Sequence, residues 1–291
     1  MRATAAVPRG GLVAVHAHPD DETLTSGALL ATWASSGEPV GLVTCTRGER
    51  GEVIGPDPSG LEGDGPALAA HRERELAAAL DALGVTDHAF LDTLDLLDGP
   101  FPGGAGGTGS RGPAGGRRTA SREPVRYEDS GMAWVAPGVA ARDAVLPSGA
   151  FVGVDLDESA GRLAGLLLER RPRVVATYEP GGGYGHPDHV RAHEVTVRAV
   201  VLAHASAGEA FVEELWFAVL PESVARSTRR SLPARPGLEL PAVDGALPSV
   251  VVPDDDLGDV VTVEVPRCWT TCSRPCVRTP PRSRTRDVST A

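Results

Sequence analysis

Gly11-Leu-Val-Ala-Val-His16 runs straight into Ala17-His-Pro-Asp-Asp-Glu22. The first half is a short apolar run that predicts a buried strand. The second half is a turn, after which Leu24, Ala28 and Ala31 predict a helix that Asp20 or Asp21 can cap and Gly37 stops. A strand fully buried on both faces and followed at once by a helix is the unit of a parallel sheet covered on both sides. Pro39 to Thr46 repeats the pattern as a second buried strand.

The remaining chain extends this alternation. Pro66 to Leu83 reads as an amphipathic helix with Leu68, Leu76, Leu80 and Leu83 on one side and Gly84 after it. His88 to Leu91 is a short strand. Leu156 to Glu169 is a helix and Arg173 to Tyr178 a strand. Pro187 to Ala205 is a helix with Val190, Val197 and Val201 on its apolar face, and Leu215 to Leu220 is a last strand. Such an order predicts an α/β fold, three-layered and Rossmann-like, with a mainly parallel sheet. Sites in these sheets form beyond the carboxyl ends of strands.

Composition narrows the function classes. The 28 Lys and Arg against 39 Asp and Glu leave a formal charge of -11, which disfavours a nucleic-acid partner. No apolar run reaches the roughly 20 residues that span a bilayer, so no membrane partner is expected. Met1 to Gly11 has no apolar h-region, and the expected compartment is cytoplasmic. Four cysteines do not make a disulfide scaffold. Cys45 sits in an apolar run as a buried thiol, and Cys268, Cys272 and Cys276 lack a fourth zinc ligand nearby. Gly104 to Gly109 matches GxGxxG without the flanking strand and helix that a dinucleotide site needs. His71, His88 and His193 read as structural or surface residues.

Two clusters carry the chemistry. Around His18-Pro19-Asp20-Asp21-Glu22 a single Asp would serve as a helix cap, but two adjacent carboxylates exceed that need. Neighbours in a turn point different ways, so one can bind a metal while the other faces a water. Tyr184-Gly185-His186-Pro187-Asp188-His189 follows the Gly181-Gly182-Gly183 turn and brackets a helix start. Glycines there let the backbone approach a ligand closely. Imidazoles with carboxylates supply a transition-metal ligand set plus groups for proton transfer, which points to metal-assisted hydrolysis.

The strings AHPDDE and GYGHPDH resemble those of the LmbE/PIG-L family of metal-dependent N-acetylglucosamine deacetylases. Thr44 to Gly55 and Asp129-Ser-Gly-Met132 are similar to its mycothiol-pathway branch, whose substrate is an N-acetylglucosaminyl-inositol. The resemblance covers residues 10–265, with a Gly-, Pro- and Arg-rich insertion near 98–123 expected to be flexible. It implies that His18, Asp21 and His189 bind one divalent metal, Zn2+ before Fe2+. It further implies Asp20 as general base, Tyr184 as oxyanion donor, a charged His186 that stabilises the intermediate or protonates the leaving amine, and Asp188 orienting an imidazole. Arg72 and Asp129 would grip the hydroxyls of a small sugar-inositol substrate. The sister amidase acting on mycothiol S-conjugates is the neighbouring expectation, and a decayed metal-binding copy the non-enzymatic one. Glu179-Pro180-Gly181 stands where relatives commonly carry Asp-Pro-Asn. From Arg267 onward arginine, proline and cysteine replace the acidic bias, so residues 266–291 are expected to be a frameshifted or divergent tail.

Overall fold

A computed structural model describes residues 3–4, 10–53, 60–97, 126–136, 138–143, 145–232, 242 and 244–262. In chain order the main elements are β1 (Leu12–His16), α1 (Asp21–Ser36), β2 (Val40–Thr44), α2 (Gly65–Leu83) and β3 (Asp87–Phe90). Then come β4 (Met132–Ala136), β5 (Val139–Arg142), α3 (Leu156–Arg170), β6 (Val174–Tyr178), α4 (Pro187–Ala207), β7 (Glu214–Ala218) and α5 (Glu222–Ser231). Two-residue strand pairs join Ala3–Thr4 to Val261–Thr262 and Leu220–Pro221 to Val251–Val252.

The central sheet has the order β3-β2-β1-β6-β7, and every pairing in it is parallel. Alternation along β1 divides the core. Leu12 and Ala14 pack with Leu30 and Trp33 of α1 and Leu76, Leu80 and Leu83 of α2. Val13 and Val15 pack with Leu163 and Leu167 of α3 and Val195, Ala199 and Leu202 of α4. The result is three layers. Removing one such side chain, as in Leu163→Ala, costs about 2–5 kcal/mol through lost burial and the cavity left behind.

Helix ends follow local chemistry. The Asp64 side chain accepts from Ala67 N at 3.0 Å at the start of α2, and Asp155 does the same for Glu158 N in α3. Gly84 and Gly208 close α2 and α4 in the left-handed conformation. The start of α1 departs from expectation. Asp20 occupies the N-cap position, but its side chain makes no capping bond there.

Two faces also differ from the periodicity reading. Leu24 is 59% exposed and Val201 50% exposed. α1 buries Leu30 and Trp33 instead, and α4 buries Ala192, Val195, Ala199 and Leu202. The β4–β5 hairpin and α5 have no counterpart in the sequence reading. β4 is mostly exposed and α5 has no buried residue, so neither carries a core-facing pattern. The insertion at 98–123, the GxGxxG match and the tail with Cys268, Cys272 and Cys276 lie outside the described residues. Among the described residues no helix is long and apolar enough to cross a membrane.

Chain order reverses beside β1. From β1 the chain steps outward to β2 and β3, then returns to lay β6 on the other side of β1. The crevice between the carboxyl ends of β1 and β6 is therefore the switch point where ligands bind in open α/β sheets. Both His/Asp clusters begin there.

Candidate metal centre and active site

β1 delivers the first cluster. Beyond His16 the chain turns through Pro19 and Asp20 into α1. Asp20 has φ 101°, a conformation that non-glycine residues rarely adopt. Three contacts hold it there. Its N–H donates to Glu22 Oε2 at 2.9 Å. Arg72 of α2 places Nη2 2.9 Å from Asp20 Oδ2. The same guanidinium donates to Pro19 O at 2.6 Å and Gly48 O at 3.0 Å. Strain of this kind, held by surrounding bonds, clusters at functional sites.

β6 delivers the second cluster. The Glu179 carboxylate accepts from Gly181 N at 2.5 Å and Gly183 N at 2.6 Å, folding the glycine turn. Gly182 has φ 66°, and a Cβ on it would lie 2.8 Å from Val190 N and 2.9 Å from His189 Cβ. Only glycine fits so close to the start of α4. Its carbonyl accepts from His189 Nδ1 at 3.1 Å. His186 is the N-cap of α4, with Nδ1 accepting from Asp188 N at 3.1 Å. The Tyr184 ring stands edge-on to His186 and His189, with centroids 5.9 and 5.1 Å away.

The clusters meet at Asp21 and His18. Asp21 Oδ2 lies 3.2 Å from His18 Nδ1 and 3.3 Å from His189 Nε2. His18 Nε2 lies 3.2 Å from Asp188 Oδ2. Donor atoms of His18, His186 and His189 all come within 4.8 Å of one another, as do those of His18, Asp129 and Asp188. Asp21 belongs to neither triad; it is the oxygen shared by two rings. Burial alone would raise the Asp21 carboxyl, but the imidazoles of His189 and His18 more than offset it and hold it well below the usual range. Burial opposes charge on His18 too, yet Asp129, Asp188 and Asp21 together raise its pKa well above the ordinary value.

The geometry around His189 makes a candidate cation site. A carbonyl only accepts, so Nδ1 of His189 donates to Gly182 O and Nε2 is the nitrogen that faces Asp21. That buried Nε2 stands 3.3 Å from the carboxylate oxygen. With a neutral imidazole these are two facing acceptors, which a cation between them would satisfy. A 3.3 Å separation is close to the edge of about 3.4 Å that follows from tetrahedral zinc distances. The second nitrogens are anchored as metal-binding imidazoles require, on Asp188 for His18 and on a backbone carbonyl for His189.

The sequence profile of the PIG-L family, described as GlcNAc-PI de-N-acetylase, matches residues 13–200, which contain both clusters. The chain belongs to the PIG-L family. A relative from Kineococcus radiotolerans named 1D-myo-inositol 2-acetamido-2-deoxy-alpha-D-glucopyranoside deacetylase is 45% identical over 87% of this chain and 64% of its own length. One of the same name from Streptomyces avermitilis is 45% identical over 72% of this chain and 58% of its own length. A third, from a Nocardioides species, is 37% identical over 87% and 77% respectively. This PIG-L chain thus spans less than two-thirds of the length of the first two.

Within the PIG-L chain, His18, Asp21, Asp129, His186, Asp188 and His189 are all buried together, with Asp20 and Tyr184 at the edge of the group. The structure adds detail to three expectations. Asp188 sits on His18 and accepts Ser130 N at 2.9 Å, so the imidazole it orients is that of His18. At His186, expected to be charged, burial, then His18 and His189, lower the pKa to about 2, and Nδ1 accepts from Asp188 N. Arg72 and Asp129 are buried to the same degree as the cluster itself. Arg72 holds the Asp20 turn, and Asp129 Oδ1 lies 3.7 Å from His18 Nε2 while its Oδ2 accepts Arg50 N at 3.3 Å.

Tyr178 was not among the residues singled out from sequence. Its hydroxyl accepts Ala17 N at 2.9 Å, and its ring stacks on His189. His193 Nδ1 donates to Tyr178 O at 2.8 Å, tying α4 to the same strand end. Glu22 and Glu179 were read as parts of motifs without a role, yet each folds one of the two turns. The signal available in the sequence was position: Tyr178 ends a buried strand immediately before the glycine turn.

Proposed function

We propose that this chain is a metal-dependent amidohydrolase that removes the N-acetyl group of 1-O-(2-acetamido-2-deoxy-α-D-glucopyranosyl)-1D-myo-inositol, giving acetate and the free amine. The observation that carries the chemistry is the Asp20 carboxylate, locked at the edge of the His18–Asp21–His189 cluster. The substrate follows from the three named relatives. In that reading the reaction belongs to mycothiol biosynthesis.

His18, Asp21 and His189 would hold the ion through Nδ1, a carboxylate oxygen and Nε2. Two imidazoles and one carboxylate suit zinc, and iron(II) fills the same set. The chemistry such an ion supplies is polarisation of the amide carbonyl and acidification of a water. Asp20 takes a proton from the attacking water. Arg72 keeps that carboxylate turned toward the cluster. Nε2 of neutral His186 carries a proton, because Nδ1 accepts from backbone, and donates it as a hydrogen bond to the oxygen that gains charge. Tyr184 supplies a second donor there. As the C–N bond breaks, Asp20 returns its proton to the departing nitrogen, which leaves as the amine. His186 needs no charge in this scheme, which agrees with its low pKa.

The test is acetate release from N-acetylglucosaminyl-inositol by metal-stripped protein, then after adding zinc or iron(II). The expected result is release only with metal. A mycothiol S-conjugate is run beside it. Faster cleavage of the conjugate would reassign the chain to the sister amidase, and no cleavage of either substrate with bound metal would overturn the enzymatic reading.

A further inference from the structure

The substrate assigned above has two rings, and the residues expected to read its second ring are buried. Arg72 is spent on Pro19 O, Gly48 O and Asp20. Asp129 is spent on backbone N–H groups and His18. Further recognition of the second ring calls for rim groups that solvent can reach.

Trp134, on β4, meets that condition. It is 52% exposed, although an indole of this size is ordinarily well covered. One side of it stacks on Tyr184, with centroids 5.7 Å apart and planes at 28°. Its Nε1 donates to Glu52 Oε1 at 3.4 Å, on the loop after β2. Trp134 therefore bridges three segments at the rim: the hairpin, the loop after β2 and the glycine turn. It stands two ring contacts, of 5.1 and 5.7 Å, from His189. At the base of the same hairpin, where Arg50 lies against Gly131, Arg50 Nη2 pairs with Asp143 Oδ2 at 3.4 Å, and both side chains are more than a third exposed. An ion pair so exposed contributes little, so its members can exchange each other for ligand hydroxyls at small cost.

We infer that Trp134, with Arg50 and Asp143, forms an aglycone subsite that takes the polyhydroxylated second ring of the substrate. The C–H face of a cyclic polyol packs on the open indole face, an amphipathic surface that needs no hydrogen bonds from that side of the ring. The hydroxyl edge meets the guanidinium and carboxylate. This inference rests on the deacetylase reading for the identity of the second ring, and on the rim geometry for its location.

The experiment compares Trp134→Ala and Trp134→Phe with the parent protein, all zinc-loaded, on N-acetylglucosaminyl-inositol and on free N-acetylglucosamine. The expected result is that Trp134→Ala raises KM for the two-ring substrate about five- to tenfold, a typical loss for one aromatic contact, and that for the single sugar much less. Trp134→Phe should recover part of the difference. Equal changes on both substrates would show that Trp134 only props Tyr184, and would overturn the subsite. A second arm measures binding of the product glucosaminyl-inositol by calorimetry. If no variant turns over substrate but the parent binds this compound and Trp134→Ala does not, the deacetylase reading fails and the subsite stands. Equal binding by parent and Trp134→Ala sinks the subsite whatever the activity.

Discussion

The ring of Tyr178 lies flat against that of His189, with centroids 4.2 Å apart and planes 10° from parallel. The hydroxyl of the same tyrosine accepts Ala17 N at 2.9 Å, on the turn that carries His18 and Asp21. One side chain at the end of β6 thus braces both β1's turn and an imidazole from α4. Tyr178→Phe keeps the stack and loses the hydroxyl. Losing such an outer partner costs about 10- to 100-fold in metal affinity, to be read by chelator competition. Unchanged affinity would reduce Tyr178 to a packing residue.

His18→Ala and His189→Ala should each lose bound metal, whereas Asp20→Asn should keep it and lose activity on the order of 10²-fold or more. Metal analysis of the purified variants separates the two classes. Because His18 holds a proton tightly in the metal-free protein, a metal must displace that proton. Affinity should therefore rise with pH, and a flat profile would remove His18 from the ligand set.

Arg72→Ala should lower kcat rather than selectively raise KM for the two-ring substrate, since the guanidinium touches Asp20 and two turn carbonyls. A KM effect confined to N-acetylglucosaminyl-inositol would instead return Arg72 to a role in gripping the ligand.

In the proposed mechanism His186 is a neutral donor through Nε2. His186→Gln, which keeps an N–H donor, should retain more activity than His186→Ala at every pH. Identical losses would favour proton delivery by an imidazolium.

His88 supplies a stability test away from the site. Burial, then the guanidinium of Arg47, lower its pKa to about 4. The unfolded chain binds the proton near pH 6.5 while the folded chain resists it. The contribution is complete above pH 6.5 and disappears as pH falls through 4, on the order of 1–3 kcal/mol. His88→Gln should flatten the fall in Tm across that window, and a parallel curve would assign the acid sensitivity elsewhere.

Much of the site could be read because its pieces are local strings. His18 to Glu22 and Tyr184 to His189 each combine a strand-to-helix junction with ionisable side chains, and parallel topology brings such junctions to one edge. The three central strands were legible for a similar reason: five-residue runs buried on both faces hold few polar residues. The helix faces were harder. Leu24 and Val201 are apolar by type but turn to solvent, while Leu30 and Trp33 of α1 and Val195 and Ala199 of α4 take the buried side. The β4–β5 hairpin and α5 bury too little to leave a pattern. Tyr178, Glu22 and Glu179 act through contacts formed only once turns close, and nothing in their neighbours' spacing encodes that. Trp134 became informative only when its exposure was known.

The left-handed backbone at Asp20 has a consequence for how this position can change. Glycine would adopt φ 101° freely, so Asp20→Gly relaxes the turn even as it removes the carboxylate. Ranked by thermal resistance, variants at residue 20 should put glycine high and β-branched residues low; ranked by turnover, aspartate stands alone. Selection for robustness and selection for catalysis pull this one position in opposite directions, and a library screened only for heat tolerance would be expected to drift toward a well-folded, inert protein.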